Sequence, residues 1–175
     1  ALSDSLRAGL AAQGEAILGG DATLSRTHAR ATPDERAYLE RQGRVSESAA
    51  MRTMARLPDG SDQMLVEIKA VDAAYPLAGT VDLTGGGALQ AAIAPEMTAA
   101  VDPIVLERLG RKVGDTIAIG RSELRITASV ANEPDAVVDR LTYGPRVLVT
   151  IPTLERTGLV QPGSLVRWRY ALRIP

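Results

Sequence analysis

Side chains suited to catalysis are scarce in this sequence. A single His28 follows Ser25-Arg26-Thr27, in a stretch that precedes a helix cap. An imidazole catalyses beside a nucleophile or a metal and needs an orienting partner. None is near it in sequence, so His28 reads as a solvated loop residue. There is no Cys, which excludes a thiol nucleophile, a thiolate metal site and a disulfide. No Gly-x-Ser-x-Gly elbow is present. Glu133, Asp135 and Asp139 gather near Arg140 and Arg146, and paired carboxylates can cleave a glycosidic bond. Sugar clefts carry stacking aromatics, however, and aromatics are 3% of the 175 residues, with no Phe and one Trp. The acidic cluster therefore reads as a solvated loop.

Three further patterns have plain structural explanations. Gly85-Gly86-Gly87 is followed by Ala88-Leu89-Gln90 rather than a Lys-Ser/Thr pair, so a hairpin or lobe tip fits better than a phosphate cradle. Asp59 and Asp62 flank a turn glycine without the ligand ladder of a calcium loop, and turn chemistry explains both. Trp168, between Arg167 and Arg169, reads as a packing residue flanked by solvated arginine stems. The inventory predicts no enzyme: no catalytic residue, no bound cofactor and no metal site. The near-zero net charge of −1 leaves no electrostatic footprint for nucleic acid.

The elements around these residues show a mixed pattern. Leu2, Leu6 and Leu10 share one face of a helix over 1–18 that Gly19-Gly20 would stop. Asp21 to Ser25 alternates as a short strand. Thr32-Pro33-Asp34-Glu35 is a helix start with Thr as N-cap, Pro in the first turn and Glu as capping-box residue, and Gly43 ends the helix. Residues 45–57 and 64–71 flank Pro58-Asp59-Gly60 and predict a hairpin. In its second arm Leu65, Glu67 and Lys69 alternate with Val66, Ile68 and Ala70, so one face should be more buried than the other. Residues 72–87 look loop-rich. Asp102-Pro103 caps a short helix closed by Gly110, and Val113-Gly114-Asp115 turns into a second hairpin. Residues 146–151 read as a strand, 152–156 as a helical turn or two, and 164–174 as a closing strand.

This order predicts an α+β fold: a ferredoxin-like split β-α-β main lobe over about 1–75 plus 136–175, with a smaller β-rich lobe inserted at about 76–135. No apolar run approaches the roughly 20 residues of a membrane helix. Ala at position 1, with no leader-like stretch after it, suggests an excised or processed segment.

An ordered set of phrases runs along nearly the whole chain. It comprises Leu18-Gly19-Gly20-Asp21, Val66 to Asp72 leading into Tyr75-Pro76-Leu77-x-Gly79, and Leu109-Gly110-x-x-Val113-Gly114-Asp115-x-Ile117. Glu133-Pro134-Asp135, Pro145-Arg146-Val147-Leu148, Thr157-Gly158-Leu159 and Pro162-Gly163-Ser164-x-Val166 follow. Together they resemble the extracytoplasmic domain of FtsX/MacB-type ABC transporter permeases, YbbP-like subgroup. The resemblance implies a non-catalytic domain on the periplasmic side of a bacterial inner membrane, a fragment of a multi-pass protein that couples cytoplasmic ATP hydrolysis to export, extraction or handling of a lipophilic substrate. Its partners would be the transmembrane remainder, a cytoplasmic ABC ATPase subunit that binds the ATP, and a periplasmic protein or lipid. It also implies that Ala1 and Pro175 lie on one side of the domain, where the chain meets the membrane. The alternative is a small-molecule or lipid-binding module with a pocket between two lobes.

The motif residues read physically as scaffold and hinge positions. Pro76 keeps Tyr75 out of the helical region, Gly114 and Gly120 supply turn conformations, and Pro145-Arg146 and Pro162-Gly163-Ser164 punctuate the return to the main sheet.

Overall fold

The first helix of the described chain forms where its capping chemistry dictates. In this computed structural model, which describes residues 21–27, 29–134 and 144–175, α1 spans Pro33–Gln42. The Thr32 hydroxyl accepts from the Glu35 amide at 3.2 Å, and the Glu35 carboxylate accepts from the Thr32 amide at 2.9 Å. Two otherwise orphaned donors are thus satisfied reciprocally. The expected helix over 1–18, Gly20, His28, Asp135, Asp139, Arg140 and the position of Ala1 lie outside the described residues.

Strand β1 (Asp21–Thr27) precedes α1, and the long hairpin β2 (Arg44–Arg56) and β3 (Gln63–Val71) follows it. Gly60, with φ 76, makes the turn that Asp59-Gly60 predicted. A run missed by sequence patterning comes next: β4 (Asp82–Leu83), α2 (Leu89–Ile93) and β5 (Thr98–Val101). Then come α3 (Pro103–Leu109), β6 (Thr116–Ile119), β7 (Ser122–Asn132), β8 (Arg146–Thr150), α4 (Ile151–Arg156) and β9 (Arg167–Arg173). As predicted, Asp102 accepts from the Ile104 amide, and Gly110, at φ 62, closes α3 in the left-handed conformation.

The described strands form one mixed sheet, with the order β1-β9-β2-β3-β8-β5-β7-β4. β9 lies antiparallel between β1 and β2, and β3 runs parallel to β8. β5 pairs antiparallel with β8, and β6 with the last residues of β2. Because β5 also pairs with β7, and β7 with β6, the ladder β2-β3-β8-β5-β7-β6 returns to β2 and closes a ring. Closure removes the free edges of those six strands. The interior of this ring is apolar: Val66, Ile68, Ile117, Ile119, Leu124, Ile126 and Val147 are all inaccessible. At the other end of the sheet, Leu39 of α1 joins Trp168, Tyr170 and Leu172 of β9 in the same core. The helix covers one face of β1-β9-β2. A smaller cluster on the opposite face joins Val71, Ala100 and Leu148 to Leu89 and Ile93 of α2. No helix among the described residues is long and apolar enough to cross a membrane.

Candidate functional site

The parallel register of β3 and β8 sets Glu67 opposite Arg146. Both lie on the sheet face away from the ring interior, and both are buried. Arg146 Nε donates to Glu67 Oε1 at 2.9 Å, and its Nη1 donates to Glu133 Oε1 at 2.5 Å. The second Glu67 oxygen accepts from Arg167 of β9. Glu133, just past β7, also accepts from the Tyr75 hydroxyl at 2.5 Å. Lys69 Nζ completes the cluster, 3.0 Å from the Tyr75 oxygen and 3.5 Å from Glu133 Oε2. Among the described residues three cations therefore enclose two carboxylates, and Arg146 bridges both. Burial opposes the Arg146 charge, but Glu133 and Glu67 outweigh it and push the guanidinium pKa up. Arg146 stays charged at any pH the fold survives.

A second buried cluster lies on the α1 side. Arg30 donates to both Glu47 oxygens at 2.8 and 3.0 Å, and the Tyr170 hydroxyl donates to Glu47 Oε2 at 2.7 Å. Burial raises the Glu47 pKa, but these hydrogen bonds outweigh it and hold the carboxyl below its usual range. Burial, and then the Glu47 carboxylate, push the Tyr170 hydroxyl upward. Arg30 also stacks 5.1 Å from the Trp168 ring centroid. Asp72, at the end of β3, accepts from the Ser46 hydroxyl at 2.8 Å and from the Glu47 amide at 2.7 Å.

The structure brings several of the motif positions together. Tyr75 and Arg146 join the cluster directly, and the Pro145 carbonyl accepts the Glu67 amide at 2.8 Å. Tyr75-Pro76 is cis, and Leu77 accepts from Arg173 Nη1 at 3.2 Å. Gly79 passes so close to Pro134 that a β-carbon there would lie 3.1 Å from the ring. Others lie elsewhere. Asp21 starts β1 opposite Arg173. Gly114 and Asp115 lead into β6, where the Gly114 amide donates to the Ile126 carbonyl and the Asp115 carboxylate accepts from the Lys112 amide. Pro162, Gly163 and Ser164 form the loop before β9, and the Ser164 hydroxyl donates to the Leu159 carbonyl.

Sequence reasoning missed Glu67, Lys69, Glu133 and Arg167. Glu133 is not in a solvated acidic loop but 5% exposed and bound to Arg146. Arg167 is not a solvated stem, because it pairs with Glu67. Glu67 and Lys69 alternate like a wet face, yet are 1% and 6% exposed, since β3 is an inner strand and its second face is covered too. The signal available was the unbroken run Val66-Glu67-Ile68-Lys69-Ala70-Val71, too apolar around its charges for a half-wet strand.

Two cavities and one cleft surround these clusters. A cleft of about 950 Å³ opens between α1, α2 and the start of α4, lined by Arg30, Glu47, Gln90, Glu96 and Glu155 among others. A cavity of about 240 Å³ and a smaller one of about 80 Å³ lie on the other face of β1-β9-β2. No group of His, Asp and Glu among the described residues is placed to hold a metal ion.

No family model matches the chain. It is 33% identical over 172 residues to the uncharacterized ABC transporter permease YbbP of Escherichia coli K12, an alignment covering 97% of this chain and 20% of that protein. The chain thus spans about a fifth of the length of this relative. Its fold is shared with the extracellular domain of the noncanonic ABC-type transporter YknZ from Gram-positive bacteria, at TM-score 0.59 and 12% identity, covering 93% of this chain and 78% of that one. A domain of a permease protein from Porphyromonas gingivalis matches at TM-score 0.60 and 12% identity over 90% and 76% of the two chains. The periplasmic region of MacB from Actinobacillus actinomycetemcomitans matches at TM-score 0.55 and 11% identity over 97% and 79%. The chain is homologous to a segment of an ABC transporter permease and has the fold of MacB-like periplasmic domains, so the FtsX/MacB-type resemblance is borne out.

Proposed function

We propose that the chain is the non-catalytic, extracytoplasmic domain of an ABC transporter permease on the periplasmic side of the inner membrane. There it passes the motion driven by a separate cytoplasmic ATPase to a lipophilic substrate or a periplasmic partner. ATP belongs to that ATPase subunit, and this domain needs no cofactor of its own. The alignment over 97% of the chain to a permease segment carries this reading. The buried cluster supports it mechanically. Glu133 lies in the stretch expected as an inserted lobe, at about 76–135, while its partners Arg146 and Lys69 lie in the stretches expected as the main lobe, and strands of both share one closed ring. A buried ionic link of this kind adds to the rigidity with which the two stretches are joined, which transmission of force requires.

The alternative, a lipid pocket between lobes, draws on the 950 Å³ cleft. Its lining bears Glu40, Glu47, Asp72, Glu96 and Glu155 against Arg30 and Arg36, which suits an acyl chain poorly.

The test is a full-length permease with its ATPase in proteoliposomes, with this domain either present or replaced by a short linker. ATP hydrolysis should persist without the domain while coupled export or release stops. Export unchanged by the deletion would overturn the coupling role. Turnover of generic esters or phosphoesters by the domain, abolished by a single substitution, would overturn the non-catalytic one.

A further inference from the structure

The sheet face opposite α1 is built of hydroxyls and cations. Register sets Arg169 of β9 between Ser25 of β1 and Ser48 of β2, all on that face. The next rung carries Thr27, Arg167 and Ala50, and Ala50 in turn lies beside Lys69 of β3. Ser48, Lys69 and Arg169 line both the 80 Å³ and the 240 Å³ cavity, so the two adjoin. The smaller one is lined by the cations Lys69, Arg146, Arg167 and Arg169 beside the carboxylate of Glu67, while the Arg26 guanidinium turns to Glu35 of α1 on the opposite face. The wider one has an apolar wall made of Pro76, Leu77, Ala78 and Pro134. That wall is fastened at two points: Tyr75 to Glu133, and the Leu77 carbonyl to Arg173.

Arg169 differs from the cations around it. Arg26 is paired with Glu35, Arg146 with Glu67 and Glu133, and Arg167 with Glu67. Arg169, half-buried, has neither an ion pair nor a hydrogen bond among the described residues, although it lies between two serines. A half-buried guanidinium that keeps its donors free at the rim of a cavity can take a carboxylate or phosphate without first breaking an internal ion pair.

We propose that this groove binds an amphiphilic anion, with its carboxylate or phosphate at Arg169, flanked by Ser25 and Ser48, and a short apolar arm along Pro76, Leu77 and Pro134. The two cavities together approach the lower end of the ~300–1,000 Å³ usual for ligand sites. Mechanical coupling requires no ligand here, so this site stands or falls separately from the transmission role.

Titration calorimetry on the 175-residue chain tests it, with octanoate and octyl phosphate as probes and octanol and inorganic phosphate as comparators. Octanoate, octyl phosphate or both should saturate one site per chain, which also identifies the head group. Octanol should not bind, and inorganic phosphate should bind at least tenfold more weakly than octyl phosphate. Arg169→Met should weaken the alkyl anion at least tenfold and Ser48→Ala about threefold, while Arg108→Met on α3 changes nothing. The serine variant keeps the test decisive should the arginine variant fail to fold. Absence of saturable heat from either anion, equal binding of octanol, or full affinity in Arg169→Met would each overturn the proposal. Binding of hexaglutamate where neither alkyl anion binds would overturn it in favour of an acidic protein segment.

Discussion

Arg146 bridges two carboxylates that start far apart in the sheet, since Glu67 is on β3 and Glu133 just past β7, with β8 and β5 between them in the sheet order. Such a cluster need not stabilise the fold in total, because desolvation of each ion offsets its Coulombic gain. Breaking it is another matter. Glu133→Ala takes a buried carboxylate from Arg146, Lys69 and Tyr75 and leaves a cavity, and the expected loss is about 3–5 kcal/mol. Tyr75→Phe removes the hydroxyl that joins Lys69 to Glu133 but leaves that carboxylate its cations, and should cost about 1–2 kcal/mol. Urea denaturation of both variants checks the order, and a Glu133 cost no larger than the Tyr75 cost would contradict the bridging role. The Glu47 cluster makes a pH prediction. Its folded pKa lies below the ordinary carboxylate value of about 4.3, so its stabilisation is fully present above that pH and is lost as pH falls through the lower folded value. Glu47→Gln should therefore be less stable than the parent at pH 7, and the gap should narrow below about pH 4. Parallel melting curves of the two proteins between pH 7 and 2.5 measure that gap.

Elements whose ends carry local chemistry were legible in the sequence. Thr32, Pro33 and Glu35 specify α1, Asp59-Gly60 the β2-β3 turn, and Asp102-Pro103 with Gly110 the bounds of α3, because each acts within a few residues. β4, α2 and β5 were not legible. Ala91, Ala92, Ala94, Ala99 and Ala100 contrast too little with their neighbours to show a period of either kind, and burial against β7 and β8 decides their conformation. The ionic cluster was illegible for a different reason. Four of its contacts join residues 58 to 100 apart, so tertiary register is what assembles it. Of the motif glycines, Gly120 shows how a turn can also be a contact. Its φ is +59, and a β-carbon there would lie 2.3 Å from the Thr157 carbonyl oxygen, so conformation and space both require glycine. Gly60, at φ +76, has open space around it. Gly60→Ala should cost about 1–2 kcal/mol for the left-handed backbone alone. Gly120→Ala should cost clearly more, because the β6-β7 turn must also move off the loop after α4. Equal melting midpoints for the two variants would refute that distinction.

At the scale of the molecule, the ring of strands has two short seams: β5-β8, joined only at Ala100↔Leu148 and Val101↔Val147, and β2-β6. β2 and β3 are paired over nine positions from Ser48↔Val71 to Arg56↔Gln63, whereas β2 meets β6 at only Ala55↔Ile119 and Arg56↔Ala118. Arg56 reinforces the β2-β6 seam by donating to the Gly120 carbonyl at 2.8 Å. A domain that transmits force can move as one body or open where its ladder is shortest, and packed interiors favour discrete rearrangements over gradual deformation. The β2-β6 seam is therefore one of two places where internal motion can start, and the one whose strands end at a hairpin turn. The chain contains no Cys, so Arg56→Cys with Ala118→Cys offers one defined disulfide. Directly opposed antiparallel residues stand about 4.5–5.5 Å apart at Cα, inside the range a disulfide spans. The bond would close a loop of roughly 60 residues, and the chain-entropy account gives about 4 kcal/mol of stabilisation when oxidised. Oxidised and reduced forms of the double variant should differ in melting midpoint accordingly, and no difference would mean that the seam is distorted by the bond. The same pair placed in a full-length permease tests opening at this seam. Export that survives oxidation excludes opening between β2 and β6. Export that stops on oxidation and returns on reduction, with ATP hydrolysis unchanged throughout, identifies opening between β2 and β6 as a step in coupling.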